Sequence, residues 1–231
     1  MSDPIEFDQQ CAASYDQRFA KLAPITQALH LVMRVALDNL PSNARILCVG
    51  AGTGAEILSL AKAHPGWRFT AVDPAVPMLE LCRRRLDAAG FLARCEFHEG
   101  YLDSLNTEAP FDAATAILVS HFLLDTGDRT NFFHEIARRL RPKAPLVSAD
   151  LSAETSTLAA GDALTLWRRA LLWAELPPEE VDDMLKAFGK GVAVLPPREI
   201  ESILIAAGFE SPVHCYQAFM MHGWCSRRSD S

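Results

Sequence analysis

Much that would decide a function quickly is missing from this chain. Its 231 residues include six cysteines, Cys11, Cys48, Cys82, Cys95, Cys215 and Cys225. No two of them stand as Cys-x-x-Cys, so neither a zinc ligand set nor a thiol redox motif is written in the sequence. No apolar run approaches the length of a membrane span. The opening residues, MSDPIEFDQQ, are acidic and polar and lack the apolar stretch of a secretory leader. Positive charge is short: 22 Lys and Arg stand against 29 Asp and Glu, a net charge of −7 that argues against a partner held by neutralising phosphates. Tyr-x-x-x-Lys, the catalytic pair of many nicotinamide-dependent reductases, occurs nowhere. These absences predict a reduced, soluble, cytoplasmic protein with no metal, no membrane and no nucleic-acid partner.

What is present is an alternation. Hydrophobic residues make up 49%, enough for a substantial core. Apolar runs at 44–50, 67–73, 93–100, 111–120 and 144–152 read as buried strands. Amphipathic stretches at 25–39, 55–63, 75–90 and 129–140 read as helices, several closed by Pro or Gly. Strand then helix, without internal repeat, is the sequence form of an α/β fold, a doubly wound, mostly parallel sheet. After residue 152 the pattern changes. Two helices at 154–174 and 178–188 carry Trp167, Trp173 and Phe188, a further helix spans 197–209, and two strands close the chain.

The most informative stretch is Leu47–Glu56, LCVGAGTGAE. Gly50, Gly52 and Gly54 alternate at the end of a strand and just before a helix. Glycine lets a ligand approach the backbone, and a helix N-terminus offers unpaired N–H donors. Gly50, Ala51, Gly52, Thr53 and Gly54 fit both a dinucleotide turn and the tighter turn of other nucleoside cofactors. Asp73 ends the next strand, where a carboxylate can accept both ribose hydroxyls of an adenosine. NAD and S-adenosylmethionine share that adenosine. The missing Tyr-x-x-x-Lys and the absence of a second α/β unit favour S-adenosylmethionine.

At these residues the chain resembles the class I S-adenosylmethionine-dependent methyltransferases. ILCVGAGTGAE resembles the first motif, TAVDPAVPMLELCRRRL the second, CEFHEGYLDSL the third and FDAATAILVSHFLLD the fourth, with LRPKAPLVSAD leading into the fifth strand. The resemblance implies a seven-stranded sheet of order 3-2-1-4-5-7-6 with strand 7 antiparallel, N-terminal helices and a helical insertion after strand 5. It divides one domain, 1–231, into a helical cap (1–43), a cofactor-binding core (44–152), a lid or dimer insertion (153–196) and a final helix with hairpin (197–231). Layout and length are similar to carboxy-S-adenosylmethionine synthases and quinone-biosynthesis methyltransferases. Three positions depart from the pattern: Cys48 and Tyr101 stand where acids are usual, and Pro142-Lys143-Ala144 replaces Pro-Gly-Gly. Ile203 stands near where carboxy-S-adenosylmethionine synthases use an arginine, so that special activity is not expected.

The resemblance implies a cofactor site of Tyr15, Arg18, the 50–54 turn, Asp73, Pro74, Met78, Glu99, Gly100, Tyr101, Leu118, Val119 and Ser120. The product would be S-adenosylhomocysteine. His121 follows them and reads as a general base, as a hydrogen-bond partner of the substrate, or as a surface residue at a helix start. Asp150 reads as an acceptor contact or a cap, and Arg83-Arg84-Arg85 as a solvated helix face. Methyl transfer is an in-line displacement in which the protein mainly positions the reactants, so the motifs mark a cofactor and leave the acceptor open. A small-molecule acceptor is the leading expectation, with a possible homodimer. A tRNA wobble-uridine enzyme and a non-catalytic S-adenosylmethionine-binding protein are the alternatives.

Overall fold

The structure, a computed structural model, describes residues 18–107, 109–154 and 158–230. Seven strands are joined by helices: β1 (Arg45–Val49), β2 (Arg68–Asp73), β3 (Cys95–Glu99), β4 (Ala113–Ile117), β5 (Pro145–Leu151), β6 (Phe209–Ala218) and β7 (Met221–Arg228). The helices are α1 (Ala23–Leu37), α2 (Ala55–Ala63), α3 (Val76–Ala88), α4 (Thr126–Ala137), α5 (Leu158–Trp173), α6 (Pro178–Lys186) and α7 (Pro197–Ala206). The sheet order is β3-β2-β1-β4-β5-β7-β6. β1 to β5 pair in parallel, and β7 runs antiparallel to both β5 and β6. That is the order and the antiparallel strand implied by the family resemblance.

Each central strand is buried on both faces, as a parallel sheet covered by helices requires. The alternation is strict. Leu47, Val49, Val72, Ala114, Ala116, Leu146 and Trp224 turn to one layer, with Phe133 and Ile136 of α4 and Ile200 and Leu204 of α7. Ile46, Cys48, Phe69, Ala71, Ala113 and Val147 turn to the other, with Met33, Ile57, Leu60, Leu79 and Leu86 of α1, α2 and α3. A separate cluster joins α5 and α6 to the N-terminal segment through Leu22, Trp167, Leu171 and Val181.

Several boundaries differ from the sequence reading by a few residues, and two of them have a local reason. The fourth strand stops at Ile117 because Leu118 takes φ +56°, a left-handed conformation that ends extended pairing. The helix expected at 129–140 begins at Thr126, where the Asp125 carboxylate accepts the Asp128 N–H at 3.0 Å and caps it. Among the described residues no helix is long and apolar enough to cross a membrane.

Candidate cofactor and acceptor site

All five parallel strands end on one edge of the sheet, and the motif residues gather there, as ligands do in open α/β sheets. β1 runs out at Val49 and the chain turns into α2. The Gly50 and Ala51 amides donate to the Val72 carbonyl at 2.8 and 3.2 Å, and the Gly54 amide to Ala51 at 2.8 Å. Gly50, Gly52 and Gly54 have φ of +67°, +50° and +77°. Their surroundings differ. A Cβ on Gly50 would stand 2.4 Å from Val119 Cγ2, and one on Gly54 would stand 2.4 Å from Cys82 Sγ. A Cβ on Gly52 would meet nothing nearer than the Gly50 carbonyl at 4.0 Å. Two glycines therefore serve packing, and the third faces open space beside the start of α2.

Asp73, at the end of β2, holds that turn. One carboxylate oxygen accepts the Gly52 amide and the other the Ala75 amide, both at 2.8 Å. Each oxygen keeps lone-pair capacity for a further donor. Burial raises the Asp73 pKa, and the two amides oppose the rise. The Gly100 amide donates to the Asp73 carbonyl at 3.1 Å, which brings the end of β3 alongside. Glu56, in the first turn of α2, is buried; burial and the nearby Asp73 push its carboxyl up to about 8, against its own backbone N–H and Arg85.

The end of β4 carries a second constellation. Leu118 donates its amide to Ala149 at 2.7 Å, its left-handed turn swings Val119 onto Gly50, and a short 3-10 turn, Ser120–Phe122, follows. Asp150 of β5 stands at the centre and is fully buried. One of its oxygens accepts the His121 amide at 2.9 Å and lies 3.1 Å from His121 Nδ1. The other accepts the Ser120 hydroxyl at 2.6 Å and lies 3.0 Å from Arg129 Nη2 of α4. Arg129 Nε donates to Ser120 Oγ at 2.8 Å. Burial alone would raise the Asp150 pKa; the Arg129 charge and the His121 and Ser120 hydrogen bonds outweigh it and hold the carboxyl below its ordinary range. An ionised carboxylate only accepts, so the Asp150 contact holds a proton on His121 Nδ1, and in the neutral tautomer this sets, the lone pair is on Nε2. Nε2 has no partner among the described residues.

The motif residues were expected in one place, and most are found there. The glycine turn, Asp73, Gly100, Leu118 and Val119 share the edge. Ser120 is there too, its hydroxyl committed to Asp150 and Arg129. Thr53 is buried, and Arg85 Nη1 bonds its carbonyl and hydroxyl at 3.1 and 2.8 Å. Met78 is buried on α3, Pro74 is exposed, Glu99 pairs with Arg83 at 3.4 Å, and Tyr101 is 69% exposed. Arg18 pairs with Glu180 of α6, joining the N-terminal segment to the insertion. Tyr15 lies outside the described residues. His121 is no surface residue, being 4% exposed. Arg85 is not simply solvated, since it closes the glycine turn. Sequence reasoning missed Arg129, which sits among polar helix residues with no motif around it. It left Asp150 between two roles, and the structure makes it the hub.

Comparison with known proteins agrees with this geometry. Residues 46–143 match the methyltransferase domain family. The chain is similar to a carboxy-S-adenosyl-L-methionine synthase of Campylobacter lari, 31% identical over 102 residues, which are 44% of this chain and 43% of that protein. It is also similar to a release factor glutamine methyltransferase of Chlorobaculum tepidum, 28% identical over 188 residues, 77% of this chain and 62% of that one. The chain thus spans less than two thirds of either relative's own length. Among solved structures, human N-acetylserotonin methyltransferase in complex with S-adenosylmethionine superposes with a TM-score of 0.66 at 14% identity, covering 96% of this chain and 57% of that one.

Proposed function

We propose that this chain, whose residues 46–143 are a methyltransferase domain of the class I S-adenosylmethionine-dependent kind, methylates a small organic acceptor with His121 as its general base. The observation that carries the reading is His121 itself: Nδ1 is held by a buried, ionised Asp150, and Nε2 has no partner among the described residues. The residues at the glycine turn fit the cofactor. Gly52 leaves open the space a side chain would fill, and both Asp73 oxygens keep capacity for ribose hydroxyls. No carboxylate comes from β1, where Cys48 is buried.

Bound S-adenosylmethionine supplies a methyl group made electrophilic by its sulfonium. This chain's residues position and desolvate. Asp73 and the Gly52 backbone would hold the adenosine end of the cofactor, and Leu118 and Val119 would line its methionine end. His121 Nε2 takes the proton of an acceptor hydroxyl or amine. Asp150 fixes the imidazole tautomer and steadies the imidazolium that forms. Arg129 and Ser120 are positioning residues that keep Asp150 ionised and in place.

The insertion favours a small acceptor. Its return segment donates the Ala193 amide to the His121 carbonyl at 2.7 Å, and Ser152 bonds the Leu195 carbonyl at 2.7 Å. α5 and α6 then pack against Phe19 and Ile25, and a lid made of them over the edge of the sheet would exclude water. A lidded site suits a small molecule better than a folded RNA, and the net charge of −7 agrees.

The test is transfer of labelled methyl from S-adenosylmethionine to a panel of phenols, amines, carboxylic acids, a peptide and tRNA. Labelling of a small hydroxyl or amine compound, lost in His121→Ala with cofactor binding kept, supports the proposal. Labelling of tRNA or peptide alone, or full activity in His121→Ala, overturns it.

A further inference from the structure

Five cysteines lie among the described residues, and they fall into two groups. Cys48, Cys82 and Cys95 serve the core around α2 and α3. Burial raises the Cys48 thiol, and it pushes Cys82 up to about 12 and Cys95 up to about 11. Such thiols are poor nucleophiles.

Cys215 and Cys225 are different. They lie on β6 and β7, both half-buried, with their sulfurs 3.0 Å apart. The ladder explains the approach. Val213 stands opposite Cys225 and His214 opposite Trp224, but the next pair is Tyr216 with Gly223. Cys215 is therefore the extra residue of a β-bulge, which re-aims its side chain. Its Sγ also lies 3.5 Å from the Gly223 carbonyl. The two thiols favour opposite protonation states. The Cys225 S–H stabilises a Cys215 thiolate against burial, while Cys225 itself is pushed up by that hydrogen bond and by burial. One sulfur is set to attack, and the other is set to resolve.

We propose that Cys215 and Cys225 form a reversible dithiol–disulfide couple, a modification site for hydroperoxides that clamps β6 to β7. In the first step the Cys215 thiolate attacks the peroxide oxygen. An S–O bond forms, the O–O bond breaks, and the leaving oxygen takes a proton to become water or an alcohol. In the second step the Cys225 sulfur attacks the Cys215 sulfenic acid. The S–S bond forms, the S–O bond breaks, and hydroxide leaves with the Cys225 proton as water. Two thiols lose two electrons in all, and the hydroperoxide gains them. The bond lies on the same sheet face as Cys48 and Val147, the face opposite Asp150. It therefore strengthens the hairpin and leaves the His121 constellation as it is. The hairpin is tied to α1 by Tyr216, whose hydroxyl donates to the Ile25 carbonyl at 2.7 Å, so the clamp extends to that helix.

The folded chain is treated with hydrogen peroxide in modest excess, and free thiols are alkylated before peptide mapping. The expected product is one intramolecular Cys215–Cys225 disulfide, two hydrogens lighter, reversed by dithiothreitol, with a thermal midpoint several degrees higher. In Cys225→Ser a sulfenic acid accumulates at Cys215 and is trapped by dimedone. In Cys215→Ser no disulfide forms at the same peroxide dose. A disulfide to Cys11 or to a core cysteine overturns the proposal. So does faster oxidation of Cys95 than of Cys215, or a folded wild-type chain that keeps both thiols.

Discussion

Asp150 is buried with three partners, and its value depends on all of them. Asp150→Asn removes a negative charge and leaves the Arg129 guanidinium uncompensated in the interior, a loss of about 3–5 kcal/mol of stability. Urea unfolding at neutral pH checks this; a loss under about 1 kcal/mol contradicts the network. Because its folded pKa is depressed, Asp150 contributes stability above its ordinary value of 3.8, and that stability is lost as pH falls through the lower folded value. Glu56 works with the opposite sign. Unfolded, it releases its proton near 4.5; folded, it keeps it to about 8. Between those values the folded state binds the extra proton, so stability falls as pH rises. Glu56→Gln is expected to flatten that slope between pH 5 and 8 in urea midpoints, and an unchanged slope would place the slope elsewhere. The glycines give a sharper contrast. Gly52→Ala carries the left-handed backbone cost of about 1–2 kcal/mol and no protein clash, so the chain folds and loses cofactor affinity. Gly50→Ala adds the collision with Val119 and fails first in stability. Thermal unfolding with and without S-adenosylmethionine separates the two, and equal ligand shifts in Gly52→Ala and wild type would remove Gly52 from the site.

At the level of elements, the insertion has its own core and its own consequences. Leu171 is fully buried in the cluster of α5, α6 and the N-terminal segment, apart from the two layers on the sheet. Leu171→Ala is expected to cost about 2–5 kcal/mol locally, to lower turnover through a higher acceptor KM, and to leave cofactor affinity within about twofold. A parallel loss of cofactor affinity in titration would merge the insertion with the proposed cofactor site. The elements themselves were largely legible, because strands buried on both faces and helices buried on one stripe leave period and composition in the chain. Residues 55–63 read as a helix closed by Pro65-Gly66 and are one. What escaped were features set by tertiary contact. Leu118 ends β4 early through a backbone conformation that its side chain does not announce. The first three residues of α4, Thr126 to Asp128, hold no large apolar side chain to mark a helix, yet Asp125 caps one there. Arg129 carries no motif because a buried ion pair across 21 residues has no periodicity. The proposed cofactor side was written in alternating glycines and Asp73, whereas the proposed acceptor side is assembled from β4, α4, β5 and the insertion.

For the whole molecule, the fold places every parallel strand's C-terminal end on one edge and sets the glycine turn beside the His121–Asp150 pair there. The central claim is that this edge binds the adenosyl cofactor through Asp73 and Gly52. A ligand at a hundred times its Kd stabilises the fold by about 2.7 kcal/mol, so binding is also visible as a thermal shift. The most direct measurement is isothermal titration of the chain with S-adenosylmethionine, S-adenosylhomocysteine and NAD, repeated with Asp73→Ala. The account predicts one site per chain for both sulfur ligands, no heat with NAD, and at least a tenfold loss in Asp73→Ala. Binding of NAD alone, or sulfur-ligand binding that Asp73→Ala leaves unchanged, would contradict it.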